Sequence, residues 1–169
     1  MDPSYVFQRT ADGSLTVKDN VFNETMHSDA GAYEEAVIKY VQACNVFSST
    51  KNSVTILDVG FGIGYNFCAV VDEWMKRGKT HKISIISLEK DRAISSQLGS
   101  ICFGDERDIC YDLVKQAFLN GSMEKENLSI EVLFGDARQS VKMLEGRGLL
   151  FDVVFQDAFS PGKNPELWT

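Results

Sequence analysis

Ile56-Leu57-Asp58-Val59-Gly60-Phe61-Gly62-Ile63-Gly64 decides the fold: an apolar run closes on an acid, and glycines follow at every second position. Phe67, Val70, Val71, Trp74 and Met75 then fall at the spacing of one helix face, and Gly78 stands where a helix cap belongs. The stretch therefore reads as the first strand, ligand-cradling turn and first helix of a nucleotide-type α/β domain. A Cβ in such a turn would block close approach of the backbone to a ligand, and the turn can require positive φ. A dinucleotide fingerprint needs a third glycine three positions after the second. Depending on frame, Tyr65 or Phe67 stands there, which disfavours NAD and FAD.

The spacing G-x-G-x-G after a strand ending in Asp resembles motif I of the S-adenosylmethionine-dependent methyltransferases. The ligand of that motif has no pyrophosphate, and its methionine and ribose parts lie across the turn.

Working outward, Tyr33, Val37, Tyr40, Val41, Cys44 and Phe47 predict a helix of 3.6-residue period ahead of the first strand, ended by a Ser48–Ser53 loop. Tyr5-Val6-Phe7 and Leu15-Thr16-Val17, joined by Asp12-Gly13, predict a small β-hairpin before it. Downstream, Ile83–Leu88 predicts a second buried strand ending at Glu89, followed by a helix around Arg92–Leu98. Residues 100–127 are long for a simple connection, and Ile109, Leu113, Ala117 and Phe118 place an additional helix there. Ile130–Phe134 is a third strand ending at Asp136, and Phe151–Gln156 a fourth ending at Asp157. The expected architecture is a Rossmann-like α/β sheet of four strands, with residues 1–30 as a hairpin extension and 31–169 as the ligand-binding domain. In doubly wound sheets, ligands bind at the carboxyl ends of the strands.

Three acids stand at those ends. Glu89, within Ser87-Leu88-Glu89-Lys90, can accept hydrogen bonds from both hydroxyls of a ribose, or serve only as a solvated strand end. Asp136 can accept from an adenine amino group or cap the following helix, and the two roles can coexist. Asp157 stands where a methyltransferase faces the sulfonium methyl; its alternative is an Asx turn before Pro161. Because an ordinary carboxylate deprotonates an alkylammonium only uphill, orientation and charge stabilisation are its natural tasks.

Composition excludes several classes. The 169 residues are 44% hydrophobic, enough for one buried core. No run approaches the roughly 20 apolar residues of a membrane span, and Met1-Asp2-Pro3-Ser4 lacks the form of a secretory signal, so a cytoplasmic protein is expected. Cys44, Cys68, Cys102 and Cys110 are scattered, and with His27 and His81 as the only histidines they predict core thiols, not a zinc site. His27 reads as a surface or satisfied side chain. Arg77, Lys79, His81 and Lys82 read as a solvated loop at the edge opposite the ligand. A net charge of −7 argues against a large sequence-independent nucleic-acid footprint, though not against a local basic pocket.

Two further segments narrow the family. Phe155-Gln156-Asp157-Ala158-Phe159-Ser160-Pro161-Gly162-Lys163-Asn164-Pro165-Glu166-Leu167-Trp168 resembles the signature of the MnmC/MnmD methyltransferases, which act on 5-aminomethyl-2-thiouridine at the wobble position of tRNA. His27-Ser28 with Gly31-Ala32-Tyr33-Glu34-Glu35 resembles the upstream segment of that family, and Gly60–Phe67 its glycine motif, with Ile63 in place of the more usual Thr. The resemblance implies transfer of a methyl group from S-adenosylmethionine to the exocyclic primary amine of a tRNA uridine. It places Asp157 at the reacting amine. The cofactor would lie against Asp58, Gly60, Phe61, Gly62, Gly64 and Asn66 on one side, and Glu89, Lys90, Asp136 and Ala137 on the other. Phe159, Lys163 and Asn164 would face the substrate. No flavin is implied, since the oxidase domain of the fused enzymes has no counterpart here.

Asn164, Pro165 and Glu166 form a helix start with only Leu167, Trp168 and Thr169 after it, whereas the family continues with that helix and further strands. The sheet is thus expected to be truncated after its fourth strand. Val153, Val154 and Phe155 would be left as an apolar edge open to a second copy or a complementing polypeptide. Two other readings remain: aminopropyl transfer of the spermidine synthase kind, and a catalytically silent binding or assembly fragment.

Overall fold

The computed structural model describes residues 5–47 and 51–168. Met1–Ser4, the Ser48–Thr50 part of the expected loop and Thr169 lie outside the described residues. Two sheets are present. The smaller is antiparallel, in the order β1 (Tyr5–Arg9), β2 (Leu15–Asp19), β3 (Glu24–Thr25). The hairpin turn forms as its sequence dictates: Gly13 takes φ +83, and the Asp12 carboxylate accepts from Ser14 N at 2.9 Å. The third strand is an addition to the expected hairpin, since two residues are too short to show alternation.

The larger sheet runs β6 (Ser122–Lys125), β7 (Leu128–Phe134), β5 (Lys82–Glu89), β4 (Ser53–Val59), β8 (Val153–Gln156). The four expected strands are all parallel, with β4 between β5 and β8. That position accounts for the near-continuous apolar run of β4, because a central parallel strand is covered on both faces. Ile56 faces the larger core, while Leu57 and Val59 face a smaller one with Ile86, Leu88 and Leu144.

The connection at 100–127 corrects the expectation. It holds the anticipated helix, α4 (Arg107–Asn120), but also β6, which pairs antiparallel with β7 and makes the sheet five-stranded. Ser122-Met123-Glu124-Lys125 lacks an apolar period because β6 lies at the sheet edge with only Met123 packed on the core. At the other edge, β8 is shorter than the expected Phe151–Gln156, since Asp152 leaves the strand to accept from Thr55 N (2.9 Å) and Lys51 Nζ (2.7 Å). Its side chains alternate: Phe155 is fully buried and Val154 half exposed, so the expected apolar edge reduces at side-chain level to Val154 and part of Val153.

Helix α2 (Tyr65–Lys76) buries Phe67, Val70, Val71 and Trp74 completely. It ends as predicted, with Gly78 left-handed at φ +71 and Lys79 N bonded to Trp74 O at 3.0 Å. The helix before β4 departs from the expected 3.6-residue period. It begins as α1 (Ala32–Glu35) and continues as a π-helix over Ala36–Gln42, with Ala43 N bonded to Ile38 O at 3.0 Å and Val46 N to Val41 O at 3.2 Å. The segment around Arg92–Leu98 is a 3-10 turn followed by α3 (Ser95–Leu98). On the other face, α5 (Ala137–Gly146) starts at Asp136, which caps it by accepting from Arg138 N at 2.9 Å. Among the described residues no helix is long and apolar enough to cross a membrane.

Candidate cofactor and active site

The carboxyl ends of β4, β5, β7 and β8 open into a cavity of about 500 Å³, and the small sheet covers it. Its floor is the glycine turn. Gly60 has φ +102, and a Cβ there would meet the carbonyl oxygen of Asp157 at 2.6 Å. Gly62, at φ +54, has nothing nearer than Met26 Sδ at 3.6 Å, so the space beside it belongs to the cavity. Gly64 is different: it does not line the cavity but seats α2, where a Cβ would strike Val114 Cγ1 at 2.6 Å.

Glu89 ties this turn to the next strand. Its Oε2 accepts from Gly62 N at 2.9 Å and its Oε1 from Asp91 N at 2.8 Å. Burial pushes its pKa up, while the backbone N–H groups of Asp91, Gly62 and Lys90 oppose that shift. Asp91 in turn accepts from Tyr5 OH at 2.6 Å, joining the first strand of the small sheet to the cavity wall. Asp136 lies beside Gly135 and Ala137 in that wall, and Arg138 grips its carboxylate at 2.5 and 3.0 Å, which lowers its pKa to about 2.

Asp157 stands opposite, at the end of β8. Its Oδ1 accepts from Tyr40 OH at 2.6 Å and its Oδ2 from Asn66 Nδ2 at 2.8 Å. The same Asn66 nitrogen lies 3.2 Å from Asp58 Oδ1, and Asp58 Oδ2 is 2.6 Å from Ser87 Oγ. Burial raises the pKa of Asp157 to about 6 against the opposing hydrogen bonds of Tyr40 and Asn66, and it raises that of Asp58 to about 8. Asn66 Oδ1 is the buried side-chain polar atom that lacks a hydrogen-bond partner among the described residues. An unpartnered amide oxygen beside a cavity is suited to a ligand donor.

The roof comes from β2, β3 and the strap between them. Phe22 stacks on Phe159 with centroids 4.6 Å apart. Glu24 accepts from Ser160 Oγ at 2.7 Å and from Ser160 N at 3.1 Å. His27 lines the same space; burial lowers its pKa to about 4, leaving a neutral imidazole 3.0 Å from Thr16 Oγ1.

Residues 108–169 match a family described as S-adenosyl-L-methionine-dependent methyltransferase. The chain is 30% identical over 168 residues to an uncharacterized protein of Methanocaldococcus jannaschii, covering 98% of this chain and 44% of that protein. It is 27% identical over 159 residues to the tRNA 5-methylaminomethyl-2-thiouridine biosynthesis bifunctional protein MnmC of Aromatoleum aromaticum, covering 88% of this chain and 24% of that one. The crystal structure of MnmC2 from Aquifex aeolicus superposes with a TM-score of 0.81 at 34% identity, covering 98% of this chain and 52% of that chain. Over residues 108–169 the chain matches the S-adenosyl-L-methionine-dependent methyltransferase family, and it is MnmC-like along nearly its whole length. It spans less than half the length of the curated relatives it matches.

In this MnmC-like chain the cavity brings together Gly60, Phe61, Gly62, Asn66, Glu89, Lys90, Asp136, Ala137, Asp157, Phe159 and Asn164. Asp58 and Gly64 sit behind the wall, and Lys163 lies off it, exposed. The signature loop is held in shape by its own ends: Trp168 Nε1 donates to Phe159 O at 2.7 Å and Gln156 Nε2 to Leu167 O at 2.9 Å. Pro165–Leu167 form a single 3-10 turn, with Asn164 just before it. Sequence reasoning missed Tyr40, Phe22, Glu24 and the cavity position of His27. Tyr40 is visible in the sequence only as a core position of a helical period, and the strap residues follow no period at all.

Proposed function

We propose that this chain binds S-adenosylmethionine in the cavity and transfers its methyl group to a primary amine, the aminomethyl group of 5-aminomethyl-2-thiouridine at the tRNA wobble position. The observation that carries this reading is Asp157, a half-buried carboxylate that lines one cavity with the glycine turn. The name of the MnmC relatives, tRNA 5-methylaminomethyl-2-thiouridine biosynthesis proteins, supports the substrate class.

The cavity walls suit such a cofactor. Gly60 and Gly62 leave room for its backbone-facing side, Glu89 keeps acceptor capacity for a ribose hydroxyl beyond its backbone donors, and Asp136 stands where an amino group can be read. When bound, the cofactor supplies an electrophilic methyl group on a cationic sulfur. Asp157 accepts a hydrogen bond from the attacking nitrogen, orients its lone pair, and lies next to the positive charge that grows there. Its pKa of about 6 keeps it ionised at neutral pH. An alkylammonium of pKa about 10.4 loses its proton to it uphill by about four units, so Asp157 orients the amine, which attacks as the neutral base after giving its proton to solvent buffer, and stabilises the charge that grows there.

The test pairs calorimetry with transfer of labelled methyl to tRNA carrying the aminomethyl uridine. Cofactor binding and label in the nucleoside are expected. Absence of both, or tighter binding of decarboxylated S-adenosylmethionine, overturns the reading. We further propose that the outer edge of β8, unpaired among the described residues, accepts a strand from a second copy or another polypeptide. Concentration-dependent sedimentation is the expected result, and a monomer at all concentrations contradicts it.

A further inference from the structure

The environment of Asp157 is more elaborate than one orienting carboxylate requires. We infer that Tyr40 and Asn66 form a two-sided cradle that holds Asp157 as a half-buried anion, leaving its other lone pairs for the amine, and that Asp58 closes the cradle as a neutral carboxylic acid. This inference rests on the proposed function for the identity of the amine, but the cradle itself is a property of the fold.

The geometry carries it. A carboxylate offers about four acceptor directions. Two are taken, one on each oxygen, by Tyr40 OH at 2.6 Å and Asn66 Nδ2 at 2.8 Å. The π-helical stretch presents Tyr40: its ring lies 5.2 Å from that of Phe155, which anchors it on the core while the hydroxyl reaches past to Asp157. Asn66, in the first turn of α2, has one amide nitrogen within reach of two carboxyl groups, Asp157 Oδ2 and Asp58 Oδ1 at 3.2 Å. Two anions on one amide, one buried and one half-buried, would repel each other with little solvent between them.

The surroundings of Asp58 show which one yields. It is 1% exposed, and its second oxygen lies 2.6 Å from Ser87 Oγ, which is itself 3.3 Å from the Asp58 main-chain oxygen. A proton on Asp58 can therefore go to Ser87 Oγ, whose own proton goes to that main-chain oxygen. Every donor then has an acceptor. With Asp58 ionised, the site would hold two anions and, among the described residues, no cation paired with either. Burial favours the neutral form of Asp58 more strongly than that of Asp157, in line with their pKa values of about 8 and about 6. The other charged groups acting on Asp157 are Glu35 and Lys39 of the helical segment carrying Tyr40, which oppose each other and pair together in an ion pair. Tyr40 and Asn66 are thus positioning residues, and Asp58 is the neutral brace behind them.

During transfer the bond from sulfur to the methyl carbon breaks, its electron pair stays on sulfur, and the nitrogen lone pair forms the new bond. The positive charge passes from sulfur to nitrogen, and Asp157 stays ionised throughout. An anion held by two donors needs little reorganisation as that charge moves.

Carbon-13 NMR of aspartate carboxyls in the full chain tests the cradle. Asp157 is expected to titrate near 6 and Asp58 near 8. Tyr40→Phe keeps the ring and removes only the donor, so the Asp157 titration should rise by about one unit. The acid limb of the kcat/KM profile for methyl transfer should follow it, with cofactor Kd unchanged. Asn66→Ala should raise it in the same direction. An unmoved Asp157 titration in Tyr40→Phe, or an Asp58 already ionised at neutral pH, overturns the inference. If the parent chain neither binds S-adenosylmethionine nor transfers methyl, the functional reading fails, while the carboxyl titrations still decide the cradle.

Discussion

The floor of the cavity and its roof are built by different means. The floor is mostly main chain: Gly60 N and Phe61 N bond to Leu88 O at 3.0 and 3.3 Å and Asp157 N to Val59 O at 2.9 Å, so neighbouring strands lock the turn directly, and only Gly62 N is held by a side chain, the Glu89 carboxylate. The roof is held by side chains, namely the Phe22–Phe159 stack, the Glu24–Ser160 pair and the Tyr5–Asp91 hydrogen bond. A floor set by the sheet holds a constant ligand in fixed geometry. A roof held by a few side-chain contacts can open at modest cost, which suits a face that must admit a macromolecular substrate.

The largest expected effects are on the floor, where this contrast is most easily broken. Gly60→Val drives a branched Cβ toward a carbonyl oxygen 2.6 Å away in a conformation of φ +102. It should cost about 3 kcal/mol of stability and abolish cofactor binding. Gly62→Ala meets no protein atom closer than 3.6 Å. Its left-handed backbone costs about 1 kcal/mol, so the variant should fold yet bind the cofactor poorly because the methyl group occupies the cradle. Thermal melts with calorimetry separate the two, and equal melting temperatures would show that the floor is not the rigid element claimed.

Next comes Asp157→Asn. Methyl transfer should fall by about 10²- to 10⁴-fold with cofactor affinity little changed. Stability should move the other way. The folded-state pKa of Asp157 is raised from 3.8 to about 6, so the folded protein binds the proton more tightly. The stability associated with that proton is therefore full at low pH and lost as pH rises from 3.8 through about 6. Asp58 has the same sign over a window reaching about 8. The parent should lose stability between about pH 4 and 8, and Asp157→Asn should gain about 1–3 kcal/mol at pH 8 but nothing at pH 4. Denaturant titrations at the two pH values check this.

What was legible in the sequence cuts across floor and roof: local elements were, including the β1–β2 hairpin of the roof, and contacts between distant segments were not. The turn, α2, the four parallel strands and the acids at their ends follow from periodicity and spacing, because each is dictated by residues a few positions apart. Tyr40 with Asp157, and Glu24 with Ser160, are contacts between segments 117 and 136 residues apart. Neither partner shows a local pattern that reports the other. The π-helix was hidden for a related reason: Val37, Val41 and Cys44 fit a 3.6-residue period well enough that only the hydrogen bonds reveal the wider turn. β6 has too few apolar residues to announce itself.

A smaller effect is expected at Glu89, which belongs to both the floor and the ligand. Glu89→Ala removes acceptors from Gly62 N and Asp91 N as well as from the ribose, and should weaken cofactor binding by about 1.5–3 kcal/mol. Calorimetry measures this, and an unchanged Kd would mean that the turn alone holds the cofactor.

The smallest effect belongs to the roof clasp. Glu24 accepts from Ser160 Oγ and from Ser160 N, and the site is only partly buried, so each variant leaves the other hydrogen bond or water to compensate. In a double-mutant cycle with Glu24→Gln and Ser160→Ala, the coupling energy in thermal stability should be about 1 kcal/mol or less. Neither variant touches the glycine turn, so cofactor Kd should stay constant while KM for the tRNA substrate changes. If the clasp only braces the fold, the cycle should show the stability coupling with no change in KM. If it also sets the opening through which the amine reaches Asp157, KM must move in both single variants and move no further in the double.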